Sequence, residues 1–288
     1  MEQGHRHFHS GEIQSAILSF EAALQTETQP NANESHDVEG EAWYMLGKCH
    51  AENDEDVKAI SCLERAVERD PYNLDALLAL GVSYVNELNH AKALSNLKMW
   101  VQHNPKYAGM EIEEDPYGYS EGNENGSEMD QVQSLLLQSL QWDQNDPDVK
   151  EALGVCYNVS RDYEAAVDSL QRALKVKPND YQLWNKLGAT LANSNRSEEA
   201  LPNYLEAIKL KPRYARAWLN MAISHSNLQN FEEAARCYLQ TLSLNPDALH
   251  CWSYLRIALT CMERWDLLPL VAAQDLKQLG GHFDFVKY

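Results

Sequence analysis

Amide side chains are the chemically interesting groups of this sequence. Asn86, Asn193 and Asn227 occupy the same point, the thirteenth position, of three different repeating segments, and Asn158 stands one place earlier in its own. Asn185 and Asn220 are the fifth and sixth residues of theirs. Positions spaced by three or four lie on one face of a helix. Asparagine is a mediocre helix former, so propensity does not explain a ladder of them. Its amide both donates and accepts hydrogen bonds, which suits gripping the N–H and C=O groups of an extended peptide whatever its side chains. Lys186 and Arg216 project into the same region, where they could neutralise a terminal carboxylate, and Ala189, Thr190 and Ser224 are small enough to leave a pocket. Taken singly, each of these residues could be an ordinary solvated helix position; stacking in successive segments favours the binding reading.

Other constellations lead nowhere. The sequence has no Gly-x-Gly-x-x-Gly, phosphate loop, Gly-x-Ser-x-Gly or His-Glu-x-x-His, so no catalytic residue is assigned. His5, His7 and His9 read as scattered histidines of a frayed terminus, and Glu113, Glu114 and Asp115 lack the spacing of a calcium loop. No metal site or cofactor is expected. Cys49, Cys62, Cys156, Cys237, Cys251 and Cys261 form no Cys-x-x-Cys pair and no zinc spacing; they read as reduced thiols, mostly in helix cores, of a cytosolic protein.

The elements that must position the asparagines repeat about every 34 residues. Trp43, Trp184, Trp218 and Trp252 are each followed three residues later by Leu46, Leu187, Met221 or Leu255, and in the first three a small residue comes next: Gly47, Gly188, Ala222. This opens the tetratricopeptide pattern, and its later points recur: Ala59, Leu63, Ala66 and Pro71; Leu80, Gly81, Tyr84, Ala93, Leu97 and Pro105; Leu153, Gly154, Tyr157, Ala166, Leu170, Ala173 and Pro178; Ala200, Tyr204, Ala207 and Pro212; Ala234, Tyr238 and Pro246. Each unit is predicted to be two antiparallel helices. Small residues such as Gly81 and Ala93 sit where the two approach, large ones such as Trp184 and Tyr204 fill the space between hairpins, and prolines end one unit and start the next. The expected fold is all-α: a superhelix of about seven repeats, the fourth degenerate, with closing C-terminal helices and a concave face lined by the first helix of each hairpin.

The rhythm divides the chain. Residues 1–107 form an N-terminal repeat set. Its first repeat (Gly4, Ala16, Phe20, Ala23) reads as truncated, with chain missing upstream, and a loop from Thr28 to Asp37 follows it. Residues 108–146 form a degenerate hinge repeat. It holds an acidic loop, 109–130, with eight acidic and no basic residues and an expectation of mobility; helix resumes over Gln131–Trp142. Residues 147–248 form a C-terminal repeat set, and 249–288 the closing helices, Trp252–Leu259 and Leu267–Leu279. The two repeat sets are expected to close around a bound peptide.

Charge narrows the partners. Twenty-four Lys and Arg against forty-three Asp and Glu leave a net charge of −19, which repels nucleic acid and anionic membranes and favours a basic or neutral guest. No apolar run reaches the ~18 residues of a membrane span, and the N-terminus lacks the apolar core of a signal peptide.

The stretch from Asn179 to Asn193, centred on Trp184-Asn185-Lys186-Leu187-Gly188, resembles the repeat domain of the peroxin 5 family, the peroxisomal import receptors for type 1 targeting signals. Ala51-Glu52-Asn53, Leu78 to Glu87, Leu153 to Ser160 and Trp252 to Arg256 agree with it. The resemblance implies binding of C-terminal Ser-Lys-Leu-type peptides of peroxisomal matrix proteins, and a cytoplasmic protein cycling to the peroxisomal membrane. It assigns backbone and carboxylate contacts to Asn86, Asn185, Asn193, Asn220 and Asn227, and groove positions to Val82, Lys186, Ala189, Arg216, Ser224 and Ser253; Glu52 and Glu87 would favour the lysine of the signal. Members of that family reach peroxisomal docking proteins through an upstream region with Trp-x-x-x-aromatic motifs. None of the seven tryptophans here has an aromatic residue four places on, so docking is not assigned to this chain, nor is membrane insertion. The alternatives are a co-chaperone-type carboxylate clamp and a scaffold tetratricopeptide module.

Overall fold

A helical hairpin that repeats must reverse the chain at a fixed interval and let its two helices touch. Both requirements are visible in the computed structural model, which describes residues 1–26, 35–110 and 124–284. Left-handed residues close the turns between paired helices at Asp54, Leu88, Arg161, Asn195, Gln229 and Glu263. The first two, and the last four, are spaced by 34 residues. Close approach is secured by glycine against a large residue sixteen positions on. A Cβ at Gly188 would lie 2.6 Å from the Tyr204 ring, and one at Gly154 would lie 2.7 Å from Leu170 Cγ. Tyr204 therefore fills its own hairpin, with Ser224 of the next beside its hydroxyl. Repeat boundaries are fixed by indole N–H groups: Trp218 Nε1 donates to the Pro212 carbonyl at 2.9 Å and Trp252 Nε1 to that of Pro246 at 3.4 Å.

The chain forms two compact units. Unit 1 comprises Met1–Ala51 and Glu55–Pro178. It runs α1 (Glu2–His9), α2 (Ile13–Thr26), α3 (Ser35–Glu52), α4 (Asp56–Arg69), α5 (Leu74–Asn86), α6 (His90–Gln102), a 3₁₀ turn (Pro105–Tyr107), α7 (Glu124–Trp142), α8 (Pro147–Ser160) and α9 (Tyr163–Val176). Its main core gathers Leu63, Leu77, Leu97, Leu136 and Leu153, all nearly or fully buried. Unit 2 comprises Asn179–Tyr288 together with Glu52–Asp54. It runs α10 (Tyr181–Asn193), α11 (Ser197–Leu210), α12 (Ala215–Asn227), α13 (Phe231–Leu244), α14 (Leu249–Cys261), a 3₁₀ turn (Trp265–Leu267), α15 (Leu268–Ala272) and α16 (Leu276–Leu279), over a core including Leu239, Leu242, Cys251 and Leu255.

The fold is the predicted all-α repeat array, with local differences. Helix α7 begins at Glu124, seven residues before the expected restart. Met129 packs against the unit 1 core, and its sulfur lies 3.6 Å from Cys156 Sγ, which gives the earlier turn something to bury. The rest of the acidic loop from 111 to 123, including Glu113, Glu114 and Asp115, lies outside the described residues. So does most of the Thr28–Asp37 loop, whose last three residues begin α3. The second closing helix is broken into α15 and α16 by a turn in which Gln274 adopts φ 53°. No described helix is long and apolar enough to cross a membrane.

Candidate functional site

In unit 2 the asparagines sit on α10 and α12. Each helix follows a Pro-containing boundary. Asp180 caps α10, its carboxylate accepting from the N–H groups of Gln182 and Leu183 at 2.9 and 3.1 Å. Asn220 of α12 donates from Nδ2 to Oδ1 of Asn185 on α10 at 3.0 Å. Asn185 is 5% exposed, so this bond satisfies an amide that burial would otherwise penalise. The bond takes one hydrogen of the Asn220 amide and one lone pair of Asn185, and an amide has more of each to offer. At the end of α12, Asn227 is exposed and donates to the Ser197 hydroxyl, the first residue of α11, at 3.4 Å. Asn193, at the end of α10, is also exposed.

The smaller residues divide. Ala189 and Lys186 are half-buried on α10, while Thr190 is buried and turns its hydroxyl onto the Lys186 carbonyl at 2.9 Å. Ser224 is fully buried against Tyr204, inside the hairpin stack, and Ser253 on α14 is exposed. Burial pushes the Tyr204 hydroxyl well above the ordinary phenol range.

Two charged clusters, both inside unit 2, surround the tripeptide Glu52–Asp54. Glu52 is 2% exposed and accepts from Lys211 Nζ at 2.5 Å, from Gln182 Nε2 at 3.3 Å and from the Tyr181 hydroxyl. Burial and the Glu52 carboxylate together drive the Tyr181 hydroxyl far upward, and that ring also stacks edge-on against Tyr214 at 5.1 Å. Asn245 Nδ2 donates to the Asn53 carbonyl at 3.0 Å. Asp54 meets Arg216 at 3.3 Å and His250 at 3.1 Å. The expectation that Glu52 would meet a basic guest is corrected: its carboxylate is already neutralised by Lys211 and shut away from solvent. Arg216 likewise arrives with a carboxylate partner.

Unit 1 carries the remaining positions. Asn86, exposed at the end of α5, donates to both carboxylate oxygens of Asp56, at 3.2 and 3.1 Å. Asp56 opens α4 as Ser197 opens α11, and both lie thirty residues before their asparagine. Val82 is half-buried and Glu87 exposed. Asn158 turns back onto the Gly154 carbonyl of its own helix at 2.9 Å.

Sequence reading missed Asp56, Ser197, Asp54 and His250. The thirty-residue offset of Asp56–Asn86 and Ser197–Asn227, and the 34-residue offset of Arg216 and His250, were the available signals. The histidines of α1 do not converge: His7 pairs with Glu12 at 2.7 Å, His5 edges onto Phe20, and His9 is exposed. Among the described residues no group of three or more His, Cys, Asp or Glu is placed to hold a metal ion.

A succession of helical hairpins with these glycine contacts defines a tetratricopeptide-repeat protein, and sequence models described as tetratricopeptide repeat match residues 40–83, 159–215 and 215–248. Within that class the chain is similar in sequence to proteins named as peroxisomal targeting signal receptors and their relatives. It is 40% identical over 174 residues to Peroxisome biogenesis protein 5 of Arabidopsis thaliana, covering 59% of this chain and 21% of the relative. To the PEX5-related protein of Mus musculus it is 35% identical over 184 residues (62% and 31%), and to the Peroxisomal targeting signal receptor of Yarrowia lipolytica 33% over 174 residues (58% and 27%). The chain thus spans about a fifth to a third of the length of these relatives. Among solved structures, a thermophilic TPR protein of Thermus thermophilus is 18% identical, with a TM-score of 0.46 over 77% of this chain and 99% of that one.

Proposed function

We propose that this chain is the cargo-recognition part of a peroxisomal targeting signal receptor, and that it binds the C-terminal Ser-Lys-Leu-type signal of matrix proteins along the asparagine-bearing first helices. The carrying observation is the Asn220–Asn185 bond at 3.0 Å. It joins successive first helices through amides that keep further donor and acceptor capacity, beside Lys186 and Ala189, in a chain related to receptors of that name. Within unit 2, Asn193 and Asn227 are further amides of the same helices, with Arg216 and Ser253 as neighbouring positions and Ser224 buried behind them; in unit 1, Asn86, Val82 and Asn158 are the corresponding candidates on their own first helices. The role is binding, without catalysis, in the cytoplasm and at the peroxisomal membrane. A carboxylate clamp of the co-chaperone kind needs several available cations along the groove, and the Asp54 pairing of Arg216 argues against it.

The test is an anisotropy titration of a labelled peptide ending in Ser-Lys-Leu, its amidated twin and an acidic chaperone-tail peptide. The free-carboxylate peptide is expected to bind and the other two to bind far more weakly; equal binding of the amidated form overturns the reading. Asn185→Ala or Asn220→Ala is expected to weaken binding by about 1–3 kcal/mol, because a desolvated peptide group loses its partner.

A further inference from the structure

Arg216 and His250 occupy the same place in successive repeats of unit 2, and they share one carboxylate. Arg216 Nη1 lies 3.3 Å from Asp54 Oδ1, and His250 Nε2 lies 3.1 Å from Asp54 Oδ2. Each oxygen has its own nitrogen partner, as in a two-point seat for a carboxylate ligand. Arg216 and Asn220 are four residues apart on α12 and so share a face, and Asn220 is bonded to Asn185. The seat therefore adjoins the amide pair.

We propose that Asp54 is a built-in carboxylate that fills this seat and sets the selectivity of the neighbouring amide-bearing face. The Arg216 side chain is 11% exposed and that of Asp54 24%. A second carboxylate brought to Arg216 feels the repulsion of Asp54 together with the attraction of the guanidinium, and the two largely offset. A peptide terminus then gains little from charge and is selected by hydrogen-bond geometry at the amides, while an acidic side chain next to the terminus is turned away. This part of the inference rests on the peptide-binding reading above; the occupied seat itself does not.

Asp54→Asn tests it, because it keeps size and an acceptor while deleting the charge. Phenylglyoxal labelling of Arg216, followed by peptide mass mapping, needs no peptide ligand: the rate is expected to rise several-fold in the variant, and an unchanged rate overturns the seat. Anisotropy then uses three peptides, one ending in Ser-Lys-Leu, its amidated twin and a twin with Glu replacing Lys. At low salt the variant is expected to bind the free-carboxylate peptide roughly 3–10-fold tighter, with the largest gain for the Glu twin, and the gain should shrink as salt screens it. Unchanged or weaker binding of the two free-carboxylate peptides, with Arg216 labelling accelerated, overturns the selectivity role. If no peptide binds the wild-type protein, the peptide reading falls and the labelling still decides the seat. Asp54→Glu is expected to restore wild-type selectivity, and failure to do so overturns the role of charge. Asp54→Ser replaces Asp54→Asn should the latter not fold.

Discussion

The two units use one repeat plan with unequal electrostatics. Unit 1 sets thirteen Lys and Arg against thirty Asp and Glu, a net charge of −17, whereas unit 2 sets eleven against thirteen and is close to neutral. The difference reaches equivalent positions. Asn86 in unit 1 is pinned by both oxygens of the Asp56 carboxylate, and its counterpart Asn227 rests on the neutral Ser197 hydroxyl at the longer distance of 3.4 Å. Charge-assisted bonds are roughly twice as strong as neutral ones, so the amide of Asn227 is the easier of the two to turn. A repeat scaffold thus keeps its geometry while setting how firmly these two asparagines are held through the first residue of the preceding helix.

The largest contrast is expected at two lysines that hold one repeat position, 34 residues apart. Lys211→Met leaves the Glu52 charge buried without its cation and is expected to destabilise unit 2 by about 3–5 kcal/mol. Lys177→Met in unit 1 breaks an ion pair whose side chains are 40% and 36% exposed, and is expected to cost less than ~1 kcal/mol. Urea unfolding of both variants checks this, and equal losses would break the comparison. Next come the glycine contacts. Gly188→Ala forces a Cβ to within 2.6 Å of a ring that has nowhere to move, for an expected loss of about 1–3 kcal/mol, while Gly81→Ala meets Leu97 at 3.3 Å and should lose less than ~1 kcal/mol. Thermal midpoints rank the pair.

A smaller effect of opposite sign is expected at Leu88. It is 76% exposed and held at φ 57°, so Leu88→Gly relieves left-handed strain without losing packing and should raise the urea midpoint, by up to ~1 kcal/mol in stability. The least perturbing probe is thiol labelling. Burial pushes the Cys156 and Cys237 thiols up to about 12, so at around pH 8 their reactive thiolate is scarce, whereas Cys261 is exposed. Mass mapping after brief alkylation should find Cys261 modified first; early labelling of Cys156 would show that the unit 1 core opens.

Much of this was legible in the sequence, because a repeat states its rules several times. The Gly-to-large spacing at Gly154 and Leu170, or Gly188 and Tyr204, appears in successive segments, and the hairpins follow from it. The shared repeat position of Asn86, Asn193 and Asn227 was legible for the same reason. What stayed hidden depends on distant partners. Nothing near Glu52 marks it as buried, since Lys211 lies 159 residues away. Composition also misread Glu124–Asp130 as loop: acidity counts against order in isolation, while Met129 finds a core to join only after the hairpins stack.

The tripeptide Glu52–Asp54 has a consequence for the order in which this chain can fold. Hairpin contacts span about sixteen residues and form locally, but the bonds from Lys211 to Glu52 and from Asn245 to Asn53 span 159 and 192. Contacts of such sequence separation are slow to form. During synthesis the carboxylate of Glu52 must wait, hydrated, until Lys211 has emerged, and Asn53 waits longer still, for Asn245. Maturing unit 2 therefore includes the dehydration of a single acidic turn, a step that high salt should slow and that a chain lacking Lys211 could never complete.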